Sequence, residues 1–555
     1  MDRATRLRMD YTAMLLRSYS RRMSDAPAVL AGFDARLADP RQAQEQTLRS
    51  ILKRHADCEY GRRHGFAAVG GYDDYRARVP VVGYEDLRPC VERMLAGEPD
   101  VLVRGAASYF STTSGSTAAP KFIPGTQQTI TAGCEAILAR NAYLRRDHPR
   151  AFAGPPLFVV GNMAEGRTPA GVTLGAMTGF GYQLAHIGFS ATPFPHALFS
   201  IKDHAARYYC ILRLALAAED LSLISVYNPS TLLLLIQTAT RRWPELMADI
   251  AGGTLAVEAA LPAELREELR PLLVRDRARA SQLASLRDGG PVAWWPSLAL
   301  LLCWKGGTLG YYLAELKRHL GALPVRDLGI VASEGMVTIP IDDATAGGVL
   351  LPDGGFVEFV PRDAGPEAAR GAWELDAGGE YRLLLTTQGG LYRYDLEDVV
   401  RVERFERGMP VLAFLHRAGR VHSFTGEKLT EHQVTLAVRA AAESADVRLS
   451  GFTAVPHFEL PPFYEVRAEL APGPAGWLQC RRFARRLDAE LAAVNVEYAS
   501  KRESGRLGRA TLALVAPGSF ERRRHRRVTH DAQYKPDHLT SDPDQASDLE
   551  VTCRL

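Results

Sequence analysis

This sequence predicts an α/β fold. It has a large N-terminal domain of β-sheets with flanking helices and a small β-barrel-like part, plus a smaller C-terminal α+β domain. Three observations carry that prediction. Strand-like and helix-like segments alternate between residues 150 and 330, the pattern of layered α/β structure. Short strand-like runs separated by Gly and Asp/Glu turns crowd residues 345–425. Beyond them lie about 125 residues of mixed type, an ordinary size for a domain. A chain of 555 residues also exceeds what one core holds. The expected division is 1–425 and 426–555.

Taken in order, residues 10–56 carry helical patterns broken near Ala38-Asp39-Pro40, and a short helix is expected over Asp86–Leu95. Val101–Arg104 reads as a strand that Ser108-Tyr109-Phe110 extends, and Thr126 to Arg146 reads as a helix. Leu157–Gly161 and Leu223–Tyr227 are strands, and Asp203–Ala218 and Leu309–Leu320 are helices, the last ended by Gly321. Asn228-Pro-Ser-Thr suits a cap before the apolar helix at 231–239. The strands of the barrel-like part are Gly355–Val360, Tyr381–Thr386, Leu391–Tyr394, Val399–Phe405 and Val411–His416. After Lys428 come helix Thr430–Glu443, strands Phe452–Val455 and Tyr464–Glu469, and helix Arg481–Val494. The polar, acidic stretch from Thr540 to Glu550 is expected to be disordered.

Composition narrows the function. The apolar share is 46%, the charged share 24% and the net charge +3, so neither a nucleic-acid nor a membrane-surface role is favoured. The basic run Glu521–Arg527 reads as a solvated face. Seven scattered cysteines without a C-x-x-C pair fit reduced thiols in a cytosol. No apolar run reaches the length of a bilayer span, and a cytoplasmic monomer is expected.

The densest chemical signal is Ser111-Thr-Thr-Ser-Gly-Ser-Thr-Ala-Ala-Pro-Lys121, with six hydroxyls, a glycine and a lysine between a strand and a helix. Backbone N–H groups and hydroxyls of such a loop can face an anion, and Lys121 adds positive charge; the same composition also describes an ordinary solvated loop. It matches neither the Walker nor the dinucleotide fingerprint. Glu334 in Ala332-Ser-Glu-Gly335 follows an apolar run and suits the lip of a nucleotide or metal site, while Ser333 alternatively caps a helix. Asp398, after Tyr392-Arg-Tyr394, can accept from a ribose diol or be a turn aspartate. Lys428, beside Gly426 at the domain boundary, reaches a phosphate or is a solvated linker residue, and Lys535 in Tyr534-Lys-Pro536 is either a delivered lysine or a surface one. There is no G-x-S-x-G elbow, no H-E-x-x-H and no Cys/His metal spacing.

In order along the chain these segments resemble the acyl-acid amido synthetases first known from auxin-conjugating plant enzymes, the Gretchen Hagen family of the acyl-adenylate-forming group. The resemblance rests on Tyr60-Gly-x-x-His-Gly-Phe66, Val79-Pro-Val-x-x-Tyr-Glu-Asp86, Thr113-Ser-Gly-Ser-Thr117, Lys121-x-Ile-Pro124, Trp304-x-Gly-Gly307, Tyr312-x-x-Glu-Leu316, Ser333-Glu-Gly335, Tyr392-Arg-Tyr-x-x-x-Asp398, Gly426-Glu-Lys428 and Gln533-Tyr-Lys-Pro536. It implies an N-terminal adenylation domain binding ATP and an acyl acid, and a mobile C-terminal domain. It implies that Thr113, Ser114, Gly115, Ser116, Thr117 and Lys121 hold the triphosphate, and that Ser333, Glu334, Tyr394 and Asp398 bind the nucleotide. Glu334 would also bind Mg²⁺, and Lys428 and Lys535 would act with it in catalysis. Two departures stand out: Ile330 replaces the family's aromatic before the Ser-Glu pair, and Asp537 follows Lys-x-Pro where an arginine is usual.

The activity so implied by the resemblance joins a small-molecule carboxylic acid to the amine of an amino acid through an acyl-adenylate. The acid pocket is expected within 155–235, lined from Gly161-Asn-Met163, Phe180-Gly-Tyr182 and Tyr227-Asn-Pro-Ser230. The alternatives are an acyl-CoA ligase and a non-catalytic nucleotide-binding regulatory protein.

Overall fold

The computed structural model describes every residue except 1–16, 114–120, 190–191, 193, 307–308, 363, 418–420, 472–475, 521, 524–537 and 541–542. It divides into two compact units. The first runs to Thr113 and from Phe122 to His416, and the second runs from Arg417 to Leu555.

Helices Ala26–Leu37 and Pro40–His55 open the first unit. The break between them is written locally: the Asp39 carboxylate accepts the Gln42 N–H at 2.9 Å, and Pro40 occupies the first turn. Among the described residues three sheets of four or more strands follow. Pro156–Val159, Leu223–Val226, Leu300–Leu302 and Val325–Arg326 pair in parallel in chain order. Apart from Ser225 and Arg326 their strands are apolar, because helices such as His204–Ala217 and Pro229–Arg241 intervene. The Asn228 side chain accepts from Ser230 N–H and starts the second of these helices, as its sequence implies. A four-stranded sheet orders Lys121–Gly125, Tyr109–Thr113, Thr173–Ala176 and Gly166–Arg167.

The strand-rich region is a six-stranded sheet in the order Thr338–Ile339, Gly347–Leu350, Met409–Arg417, Tyr394–Glu406, Glu380–Thr386, Phe356–Pro361. It has two unpaired edges among the described residues, so it is an open sheet rather than the closed barrel its short strands suggest. One apolar cluster covers this sheet and a second surrounds the parallel sheet.

Two expected strands are absent. Val101, Leu102 and Val103 are buried, but they form a loop closed by Asp100 N–H to Gly105 O and by Gly105 N–H to the Asp100 carboxylate, with positive φ at both ends. The apolar run plugs a core instead of joining a sheet. Leu391–Arg393 is also irregular, and the strand begins at Tyr394.

In the second unit, Leu449–His457, Phe463–Leu470, Thr511–Val515 and Val551–Arg554 form a sheet in that order, with helices Glu431–Ser444 and Trp477–Val494 packed together. The described residues of the chain end, 543–555, are packed, contrary to their composition. Ala546 and Leu549 are buried, and Arg523, 2% exposed, donates to Gln545 O. That arginine of the basic run is therefore an anchor and not a solvated charge.

Glu465 ties the last strand in. Arg554 Nε donates to it at 2.8 Å and Arg467 Nε at 3.0 Å, and His457 Nε2 lies 3.5 Å away. Burial pushes its carboxyl up, but the hydrogen bonds from His457, Arg554 and Arg467 outweigh burial and hold the pKa at about 2, below the usual 4.5. A depressed carboxyl stabilises the fold above pH 4.5, and that stabilisation drains away as pH falls toward 2. Glu465→Gln should lose on the order of 2 kcal/mol at pH 7, allowing for the exposed Arg554. Urea unfolding at pH 7 and pH 3 checks this: the gap to the parent must shrink at pH 3, and an unchanged gap would mean that charge is not its cause.

Among the described residues no helix is long and apolar enough to cross a membrane, and all seven cysteines are free.

Candidate active site

The first unit contains a cavity of about 800 Å³. One wall is the helix Gln127–Asp147, capped by Thr126, whose hydroxyl accepts from Thr129 N–H and donates to Gln388 O. Ile130, Gly133, Ile137 and Arg140 recur at helical spacing and line the cavity as one stripe. Tyr109 and Phe180 form another wall, their rings 4.4 Å apart. The Tyr109 ring lies flat over Gly125, where a Cβ would come within 2.1 Å of it, so only glycine fits there.

The Ser333–Glu334 segment is a two-residue turn between strands Val331–Ala332 and Gly335–Met336. No helix starts at Ser333, so its reading as a cap is excluded. Gly329, at φ +78°, makes the approach to this hairpin possible, since a Cβ would meet Thr338 O at 2.4 Å. Asp327 fixes the same approach: it is 3% exposed and accepts N–H groups of Lys305 and Gly329 at 2.6 Å each. Burial lifts its carboxyl to about 6 against those hydrogen bonds.

Glu334, 6% exposed, lines the cavity and is the only carboxylate among the described residues that does so. Ser333 and Asp398 are not among the lining residues. Asp398 belongs to a bulge: Arg382 pairs with Val399 and Leu384 with Asp395, so residues 396–398 face a single residue, and Glu397 takes φ +61°. Tyr394, expected at the nucleotide, is 1% exposed and packs in the core. Its backbone pairs with Leu385 and Val82. Ile330 is likewise a core residue, and the aliphatic surface facing the cavity is Val331 and Ala332.

Thr113 ends the strand Tyr109–Thr113, and Lys121 opens the strand Lys121–Gly125. The Thr113 side chain, Ser114, Gly115, Ser116, Thr117 and Lys535 lie outside the described residues.

In the second unit Lys428 has φ +45° and sits on a loop built around Glu427. That carboxylate is fully buried and accepts from Phe424 N–H, Thr425 N–H and Tyr464 OH at 2.6–2.8 Å. The sequence singles out Gly426 and Lys428 in this motif but does not reveal that Glu427 is its keystone.

Of the residues expected to line an acid pocket, Met163, Phe180, Gly181 and Tyr227 do. Sequence reasoning missed Arg140. Arg140 is 5% exposed, and burial lowers its pKa to about 10. Among the described residues it forms no ion pair; Nε and Nη2 donate at 3.1 and 3.0 Å to the neutral Asn141 Oδ1. The available signal was a charge and an amide inside the otherwise apolar run Ala136–Leu144.

Among the described residues no three His, Cys, Asp or Glu side chains cluster as a metal site. A lone carboxylate fits Mg²⁺ of the kind that arrives on nucleotide phosphates and keeps most of its waters.

Family models match nearly the whole chain: the GH3 family N-terminal domain over 29–325, its central domain over 348–417 and its C-terminal domain over 432–544. The chain belongs to the GH3 family. A probable indole-3-acetic acid-amido synthetase of Oryza sativa subsp. japonica is 26% identical over 89% of each chain. A jasmonoyl–L-amino acid synthetase of Nicotiana attenuata is 26% identical over 90% of each. Among solved structures, a GH3 acyl acid amido synthetase in complex with 2,4-DB superposes with a TM-score of 0.69 at 22% identity, covering 96% of this chain and 97% of that one. A 2-hydroxyisobutyryl-CoA ligase shares the fold at a TM-score of 0.52 and 15% identity, covering 91% of both.

Proposed function

We propose that this GH3 protein is an ATP-dependent acyl-acid amido synthetase, an amide-bond-forming ligase. The observation that carries the reading is a largely apolar cavity holding one buried, uncompensated guanidinium, Arg140, and one carboxylate, Glu334. A bulky acid suits such walls, as the names of the indole-3-acetic acid and jasmonoyl relatives also suggest.

Arg140 receives the carboxylate of the acid and lowers its repulsion from the triphosphate. A carboxylate oxygen then bonds to the α-phosphorus of ATP while the bond to the pyrophosphate oxygen breaks, giving the acyl-adenylate and pyrophosphate. The amine of an amino acid next attacks the acyl carbon, AMP leaves, and the amine loses a proton as the amide forms.

The triphosphate falls to Thr113, Ser114, Gly115, Ser116, Thr117 and Lys121. The ribose falls to Asp398, on the strength of the motif it ends, and Ser333 lies beside Glu334 at the nucleotide. Glu334 would hold Mg²⁺, which supplies positive charge to the phosphates when bound. Lys428 and Lys535 are brought by the C-terminal domain to offset charge building on the phosphates, and closure of that domain shields the adenylate from water.

Incubation with ATP, Mg²⁺ and a panel of acids (indole-3-acetate, jasmonate, 2,4-DB and medium-chain fatty acids), together with either mixed amino acids or CoA, tests the reading. An amide and AMP are expected. A thioester with no amide would replace the reading by acyl-CoA ligation, and no product at all would favour a regulatory nucleotide-binding protein.

A further inference from the structure

Arg140 raises a question that its position in the cavity does not answer: how a buried cation stays available to a substrate. Buried arginines are usually paired with a carboxylate, which neutralises them. Arg326 in this same unit shows the common solution, donating to Asp343 and Asp147 at 2.5 and 2.7 Å. Arg140 has instead a single neutral acceptor, the Asn141 side chain, which takes both Nε and Nη2.

The orientation of that amide is dictated from its other end. Asn141 is 0% exposed, and its Nδ2 donates to Ile187 O at 2.7 Å and to Ala185 O at 3.4 Å. The two carbonyl oxygens can only accept, so they take the amide NH2 and leave the amide oxygen facing the guanidinium. The stretch containing Ala185 and Ile187 thus sets Asn141, and Asn141 sets Arg140. One edge of the guanidinium, Nε and Nη2, is held by Asn141 Oδ1 while its charge is left whole, and the Nη1 side remains toward the cavity that Arg140 lines.

We propose that Asn141 is a positioning and specificity-determining residue for the acid: by holding Arg140 through a neutral oxygen, it keeps the cavity selective for a carboxylate over its uncharged isosteres. The inference rests on the acid-binding reading of this cavity. An aspartate at 141 would neutralise Arg140 and turn a carboxylate oxygen toward two carbonyls. An alanine would leave the guanidinium charged but unheld.

The test uses the full chain, the panel acid with the highest turnover, and the primary carboxamide of that acid as a competitive inhibitor. Asn141→Asp should raise KM for the acid at least tenfold, with KM for ATP and the inhibition constant of the carboxamide within twofold of the parent. Asn141→Ala should raise the acid KM less, by about threefold to fivefold, and it serves alone if the aspartate variant does not fold. An acid KM within twofold of the parent in the folded variants overturns the proposal. So does a joint loss of affinity for acid, carboxamide and ATP, which a purely structural role would give. If the parent itself turns over no acid in the panel, the acid-binding reading fails instead, and the two failures are distinct.

Discussion

Replacing Arg140 with methionine should raise KM for the acid by about 100-fold or more and leave the protein at least as stable as the parent. A charge-assisted contact to a carboxylate in a water-excluded site costs 2–5 kcal/mol when one partner is removed, and about 1.4 kcal/mol is tenfold in affinity. The stability side follows from the pKa. Burial lowers that of Arg140 to about 10, so the folded state holds its proton less well than the unfolded chain. The resulting penalty is present at neutral pH and is relieved only as pH rises through 10. Methionine fills similar volume without the charge, at the cost of leaving Asn141 Oδ1 without its donor. Acid kinetics and urea unfolding of one variant measure both effects. A less stable protein with unchanged acid KM would make Arg140 a structural residue.

Replacing Glu358 with alanine should destabilise the first unit by about 3–5 kcal/mol, the cost of stranding one member of a buried pair. Glu358 is fully buried, and Arg393 is 6% exposed. Arg393 Nε donates to both Glu358 oxygens at 3.0–3.1 Å, and Tyr72 OH donates at 3.2 Å. Burial pushes the Glu358 carboxyl up and the Arg393 charge opposes it. The variant would leave the guanidinium with only Arg76 O and Val79 O as partners. Arg393 belongs to the Tyr392-Arg-Tyr motif and takes φ +46°, so this motif acts first as an anchor. The Tyr392 ring stacks on Tyr60 at 5.0 Å, and its hydroxyl donates to Leu102 O. Removing both charges with Glu358→Leu and Arg393→Met should recover much of the loss. A fall of under 1 kcal/mol for Glu358→Ala, read by urea unfolding, would contradict this assignment.

What the sequence makes legible is what local chemistry decides. Asp39-Pro40 and Asn228-Pro229 cap helices because their side-chain oxygens reach N–H groups two or three residues ahead. Alternating apolar segments reveal the parallel sheet because its strands are short and mostly buried. What stays hidden is decided by distant partners. Val101–Val103 has strand composition, yet its ends close on each other. Tyr394 has the same letter whether it meets a nucleotide or fills a core. Arg140 resembles any helical arginine until the fold surrounds it, and the meaning of Asn141 depends on carbonyls more than forty residues away. The Glu334 hairpin was visible as a carboxylate next to glycine but not as a turn, since two-residue strands carry little periodicity.

The central claim is that the cavity activates a carboxylic acid with ATP, and acid-dependent exchange of labelled pyrophosphate into ATP tests it most directly. The account predicts exchange that saturates with at least one bulky acid and falls about 100-fold in Arg140→Met at subsaturating acid. Exchange that ignores the acid, or that is equal in the parent and the Arg140 variant, would contradict it.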